Sequence, residues 1–312
     1  MTGLFIRLGG RMMTIQIIGG GSVGLLMASF LAEKGLAVTI ISTRVEQRER
    51  IEAYGLTRQN IGGEKQRFPA AAADKISGHA DLVIVAVKYN GLSDFYPLLA
   101  ELPVSTPLLF LQNGLAHYEE AMRLPQQHIA FGSAQFGAQR ENDTTVIHRG
   151  IGVLKLAVGR GDIERFSPVL ALDSDMIPIS TENEAETMLL EKALLNCFIN
   201  PLTAILNVKN GELLTNQHAY ALLKTLYTEL MAAFPHMRDE FPFEGVKKLC
   251  EKTAANTSSM LSDRQAGRKT EVDTIVGAII KKAALSGRQL PTLHTLYELI
   301  KAAEQLESGD KV

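Results

Sequence analysis

The chain has no tryptophan, little aromatic side chain of any kind (6%), and only two cysteines among 312 residues. Cys197 and Cys250 stand far apart, so no disulfide framework can be drawn, and two thiols are too few for a structural zinc site. A reduced, cytoplasmic setting is expected. No continuous apolar run approaches the roughly 20 residues that span a bilayer, and MTGLFIRLGGR has too short an apolar core for a secretory signal, so no membrane partner is expected. Residues 1–12 read instead as a tail or an upstream start, because Met12 and Met13 sit just before the first strand pattern. Excess charge is missing too: a formal net charge of −2 gives no electrostatic reason to bind nucleic acid. The seven histidines are scattered and no compact His/Cys/Asp ligand pattern appears, so no metal is expected.

What is present is ordinary for a globular protein, with 46% hydrophobic and 21% charged residues, and long enough for two cores. From residue 14 to about 180, short apolar runs alternate with helical patterns. TIQII (14–18) leads into SVGLLMASFLAEKG, AVTIIS (37–42) into RVEQRERIEAYG, and DLVIVAV (81–87) and PLLFLQ (107–112) follow a hairpin expected at Gly62-Gly63. Uninterrupted apolar runs suit strands covered on both faces, as in a parallel sheet. Segments 128–138, 144–149 and 152–159 read as further, antiparallel strands. Beyond about 183 helical periodicity takes over. The expectation is an α/β + all-α protein: a Rossmann-type, doubly wound domain over 13–183, then a helical domain over 184–312. A cleft between two such domains is a favoured place for a ligand.

The loop IIGGGSVGLLMA contains Gly19-x-Gly21-x-x-Gly24, placed where an apolar strand ends and a helix begins. In that context Gly19 permits the turn, Gly21 lets the backbone approach a pyrophosphate, and Gly24 lets helix and strand pack closely. Gly19, Gly20, Gly21, Ser22, Val23 and Gly24 are therefore candidate dinucleotide contacts, backed by the positive end of the helix dipole. An NAD site usually has an acid at the end of the second strand. Here the strand ends Ile41-Ser42-Thr43-Arg44, and a guanidinium suits a 2′-phosphate, which points to NADPH/NADP+. A solvated first residue of a surface helix is the plainer reading of Arg44. Lys88 and Asn113 each stand just beyond an apolar strand, where the ligand crevice of such sheets opens, although Asn113-Gly114 is also an ordinary turn pair.

In LEKALLNCFINPLTA (190–204), Lys192, Asn196 and Asn200 recur every fourth position on an almost wholly apolar helix. They share one stripe, and a buried ammonium and buried amides require partners. Either they face a ligand, or the lysine reaches solvent while the amides bond to neighbouring helices. Pro201 removes one helical N–H and is expected to kink the helix. In NTSSMLSDRQAGRKTEVD (256–273), Thr270-x-x-Asp273 reads as a capping box, which would leave Glu271 in the first turn of a helix.

GGGSVG, VAVK, LQNG, EKALLNCFINPLTA followed by VKNGEL, and SSMLSD…GRKTEVD occur in this order. Together they resemble the 2-dehydropantoate 2-reductases, or ketopantoate reductases, over essentially everything after Met13. The resemblance implies that Lys192 is the catalytic lysine that protonates the reduced ketone, and that Glu271 is the acid meeting the substrate hydroxyl nearby. It implies that Asn196, Asn200, Asn210, Asn256 and Ser259 lie near the substrate. Arg44, Lys88, Asn113 and the glycines would lie on the cofactor side, with Asn113 also close to the substrate. The implied reaction is NADPH-dependent reduction of a 2-oxo acid, 2-dehydropantoate, to (R)-pantoate on the route to pantothenate and coenzyme A.

Hydride addition to a ketone builds negative charge on oxygen, which a donor within about 3 Å stabilises and then protonates. Burial would lower the lysine pKa and Glu271 would raise it, so packing decides the sign. Two other functions fit parts of the pattern: a reductase of another 2-oxo or 3-hydroxy acid with the same two-domain plan, and a non-catalytic NADPH sensor. Association of the helical half into a homodimer is a further expectation that no motif establishes.

Overall fold

The computed structural model describes residues 7–8 and 11–308. The tail expected over residues 1–12 lies largely outside the described residues. Within it only the antiparallel pair Arg7–Leu8 and Arg11–Met12 is described. The described residues form two compact units. One comprises the chain up to Gln112 together with Tyr118–Met188, and the other comprises Asn113–His117 together with the chain from Leu189 onward.

In the first unit the apolar runs become the central strands of an eight-stranded sheet. Across it lie Ala71–Ala73, Ala37–Ile41, Thr14–Ile18, Leu82–Val85, Leu108–Phe110, Ile129–Ala134, Leu154–Arg160 and Ile179–Glu182. The first six are mutually parallel and follow the dinucleotide-fold order 3-2-1-4-5-6 when numbered along the chain. The expectation of antiparallel strands after 128 needs correcting. Ile129–Ala134 is parallel to Leu108–Phe110, and only its pairing with Leu154–Arg160 is antiparallel. Segment 128–138 is also not one strand, because Gly137–Arg140 belongs to a second sheet.

That second sheet holds four strands, Gly137–Arg140, Thr145–Gly150, Leu56–Gln59 and Lys65–Phe68. Its last two strands form the hairpin expected at Gly62-Gly63, where Gly63 has φ +94°, a conformation open mainly to glycine. The helix Ser22–Glu33 packs on both sheets, so most of it is buried and it is apolar nearly all round. Arg58 fastens the second sheet to this helix. It is almost fully buried, stacks its guanidinium 4.1 Å from the Phe30 ring centroid and 4.9 Å from that of Phe68, and donates to both carboxylate oxygens of Glu33 at 2.9–3.0 Å.

The second unit is helical. The helix Ala185–Leu206, which reaches into it, carries Pro201 within its length and continues to Leu206. By length and composition this helix is apolar enough to cross a membrane, although Glu186, Glu191 and Lys192 interrupt its apolar run, so the expectation of no continuous apolar run of roughly 20 residues holds. The apolar window is 67% buried inside the fold, as a core helix would be. Phe198 lies in a cluster with Tyr227 and Phe241, at centroid distances of 5.8 and 6.4 Å, and full burial of such a ring contributes about 1.5–3 kcal/mol. Gln217–Ala233 opens on an Asn216 cap that accepts the N–H groups of His218 and Ala219. Glu229 from the same helix caps Pro291–Ser308 by accepting the N–H groups of Thr292 and Leu293 at 2.8 and 2.9 Å.

The capping box expected over Thr270–Asp273 does not form. Thr270 donates its backbone N–H to Glu304, at 2.7 Å, and its hydroxyl accepts from the Val272 N–H instead. Asp273 accepts from the Tyr297 hydroxyl (2.7 Å) and the Lys301 ammonium (3.0 Å). Tertiary partners have taken both groups, and Asp273–Gly277 opens as a π-helical turn before Ala278–Leu285.

Candidate functional site

In the first unit, the strand Thr14–Ile18 ends at the glycine loop. Gly19 has φ +108° and sits so close to Val87 that a Cβ would collide with it. A Cβ on Gly24 would run into the Gly19 carbonyl, so this glycine lets the helix approach the loop. A Cβ on Gly20 would meet the Gln47 amide. At Gly21 nothing lies within 4 Å of a Cβ. Gly21 is also the N-cap of the helix beginning Ser22-Val23, with no side chain bonded across that cap. Two glycines needed for packing, one facing open space, and an uncapped helix N-terminus form a cradle that fits a pyrophosphate.

Arg44 caps the helix Val45–Tyr54 in extended conformation, and its side chain is half exposed. Its guanidinium bonds the Asp143 carboxylate at 2.6 Å, an ion pair linking positions 99 residues apart. Gln47 joins this end of the site to the glycine loop. Its amide nitrogen donates to the carbonyls of Gly20 (2.9 Å) and Asp143 (3.0 Å), while its oxygen accepts from the Ser42 hydroxyl at 2.8 Å. Neither Gln47 nor Asp143 stands out in the sequence, since both sit in polar segments resembling any solvated surface. Lys88 is exposed at the start of the turn Tyr89–Gly91.

In the second unit, three of the candidate residues form one chain. The Lys192 ammonium donates to Asn113 Oδ1 at 2.8 Å, and Asn113 Nδ2 donates to Glu271 Oε2 at 2.9 Å. Asn113 is held by its neighbour: Gly114 has φ +83° and lies against the Thr274 carbonyl, which accepts the Leu115 N–H at 3.2 Å. Burial lowers the Lys192 pKa from the usual lysine range to about 8, against the opposing pull of Glu271. His117 is fully buried nearby. Loss of solvent, reinforced by the charge of Lys192, pushes its imidazole down to about 3, so it is neutral across the physiological range.

The remaining candidates fall into smaller groups. Asn196 is part-buried one turn after Lys192, and buried Asn200 donates to the hydroxyl of exposed Ser259 at 3.4 Å. Ser258, which no sequence pattern marks, caps the helix Ser259–Gln265 and bonds Thr203 at 2.8 Å. Asn210 is buried, donates its side-chain amide to Thr253 at 3.0 Å, and gives its backbone N–H to the carbonyl of Asn256, whose side chain is exposed. Asn210 Oδ1 is buried with no hydrogen-bond partner among the described residues.

Residues 15–161 match the family model "Ketopantoate reductase PanE/ApbA", and residues 184–304 match "Ketopantoate reductase PanE/ApbA C terminal". The chain is 38% identical to the 2-dehydropantoate 2-reductase of Listeria monocytogenes serovar 1/2a, over 93% of this chain and 96% of that one. It is also 38% identical to that of Bacillus subtilis strain 168, over 94% and 98%. A crystal structure of the probable 2-dehydropantoate 2-reductase from Bacillus subtilis superposes with TM-score 0.85 at 36% identity, covering 93% of this chain and 100% of that one. A ternary structure of D-mandelate dehydrogenase with NADH and anilino(oxo)acetate gives TM-score 0.82 at 25% identity, over 95% and 99%.

Proposed function

This chain belongs to the ketopantoate reductase family, and from that premise we propose that it reduces 2-dehydropantoate at its C2 ketone to (R)-pantoate, with NADPH as reductant and Lys192 as proton donor. The family is one of oxidoreductases, and this chain is one of them. The single observation that carries the proposal is the hydrogen-bonded chain Lys192–Asn113–Glu271, with a part-buried, desolvated ammonium at one end.

When bound, the nicotinamide supplies the hydride. The chain's own residues do the rest. The glycine loop and the helix from Ser22 hold the pyrophosphate through backbone N–H groups. Arg44 binds the 2′-phosphate, and Lys88 adds positive charge on the cofactor side. Lys192 points one N–H at the ketone oxygen, stabilises the charge that grows there, and gives up a proton to complete the alcohol. A pKa near 8 suits a proton donor of this kind, because the group is charged at neutral pH yet releases its proton more readily than an ordinary lysine. Asn113 fixes the ammonium, and Glu271 both opposes its deprotonation and accepts from a substrate hydroxyl. Asn196, Asn200 and Ser259 supply the polar wall around the rest of the 2-oxo acid, with Asn210 and Asn256 at its margin.

The test compares 2-dehydropantoate reduction with NADPH and with NADH, in the wild type and in Lys192→Ala. The variant should lose about 10²–10⁴-fold in kcat while binding NADPH within about twofold of wild type. If NADPH affinity falls as far as turnover does, Lys192 is a structural residue. NADPH oxidation with a different 2-oxo acid, and none with 2-dehydropantoate, would move the substrate assignment and leave the chemistry in place.

A further inference from the structure

We propose that Asp143 is a built-in competitor for the cofactor's 2′-phosphate, and that it narrows the preference for NADPH over NADH. The inference rests on Arg44 as the 2′-phosphate anchor. In dinucleotide folds that take NAD, an acid at the end of the second strand binds the ribose hydroxyls. That strand end carries Ser42 here, and a carboxylate reaches the same guanidinium from a turn 99 residues further along the chain.

The position of this carboxylate is fixed. Asp143 lies in the turn between Gly137–Arg140 and Thr145–Gly150, whose shape is set by Asn142 Oδ1 accepting the N–H groups of Thr144 (3.0 Å) and Thr145 (2.9 Å). The Asp143 carbonyl accepts from Gln47, the residue that also holds the glycine loop. Its side chain is only 14% exposed, against 46% for Arg44. One carboxylate oxygen bonds Arg44, and the other lies 4.0 Å from Arg50.

A 2′-phosphate carries between one and two negative charges at neutral pH. To reach Arg44 it must displace the carboxylate or lie beside it, and either course costs binding energy. A ribose with both hydroxyls free carries no charge and can donate to Asp143. The same residue therefore works against one cofactor and tolerates the other.

The experiment is calorimetric binding of 2′-phosphoadenosine 5′-phosphate and of 5′-AMP to wild type, Asp143→Asn, Arg44→Ala and the double variant. Asparagine keeps the size of the side chain and leaves the backbone tether to Gln47 intact, and circular dichroism melts confirm that each variant folds. Asp143→Asn should bind the 2′-phosphate compound about three- to tenfold tighter, with 5′-AMP unchanged or weaker. The NADPH-to-NADH ratio of kcat/KM should rise by a similar factor. The gain should vanish in the double variant. Unchanged or weaker 2′-phosphate binding in Asp143→Asn, with Arg44→Ala still harmful, overturns this inference alone. Unchanged 2′-phosphate binding in Arg44→Ala overturns the assignment of Arg44 beneath it.

Discussion

An ammonium whose pKa is lowered to about 8 makes a definite prediction about pH. With Lys192 as the proposed proton donor, reduction would require the charged form, and kcat/KM for 2-dehydropantoate should fall as pH rises through about 8. The reverse oxidation needs the neutral amine and should rise across the same interval. Because Glu271 raises the lysine pKa, Glu271→Gln should shift that limb to lower pH. Buried His117, lowered to about 3, should add no limb between pH 6 and 7. Steady-state profiles in both directions measure all of this. A limb that stays in place when Glu271 is neutralised would show that another group governs the rate.

At the scale of elements, two glycines three residues apart have opposite duties. Gly24→Ala puts a methyl against the Gly19 carbonyl, and should cost about 1–3 kcal/mol and several degrees of Tm. Gly21→Ala meets nothing, so the melting temperature should hold, while NADPH affinity should fall about tenfold or more if, as proposed, the pyrophosphate takes that open space. Thermal melts and direct binding separate the two. The close packing at Gly24 could be read from Gly19-x-Gly21-x-x-Gly24 because the motif is local, and the parallel strands could be read because their apolar runs are continuous. The second sheet could be read only in part: its hairpin at Gly62-Gly63 and the strand near 144–149 are expected from the sequence, but not their assembly into one sheet. Lys65–Phe68 is short and mostly exposed, Gly137–Arg140 is short with no buried residue, and Thr145–Gly150 pairs with Leu56–Gln59 across a long interval of chain. The capping box failed for the same reason, since Thr270 and Asp273 take partners that the local pattern cannot contain, Glu304, Tyr297 and Lys301. Lys192, Asn196 and Asn200 stand out as polar residues on an apolar helix, Glu271 stands out only through the family resemblance, and Asp143 has neither to mark it.

For the whole molecule, the lowered pKa of Lys192 is a cost to folding. The folded state holds its proton less tightly than the unfolded chain, so the penalty is complete below about pH 8. It fades as pH rises from there toward 10.5, where the group is neutral in both states. Lys192→Met should therefore be more stable than wild type at pH 7, by a margin that shrinks over that interval. Urea denaturation at a series of pH values reads the margin directly, and a constant difference would mean that charge is not its source. The helical unit is also discontinuous, since Asn113–His117 belongs to it although the chain reaches those residues in the midst of the sheet strands. Anyone building chimaeras of two relatives by joining one amino half to the other's carboxyl half at residue 188 would separate Lys192 and Glu271 from their own chain's Asn113, which bonds both. A graft that carries those five residues along with the carboxyl half should keep the parent's kinetics where the simple crossover loses them.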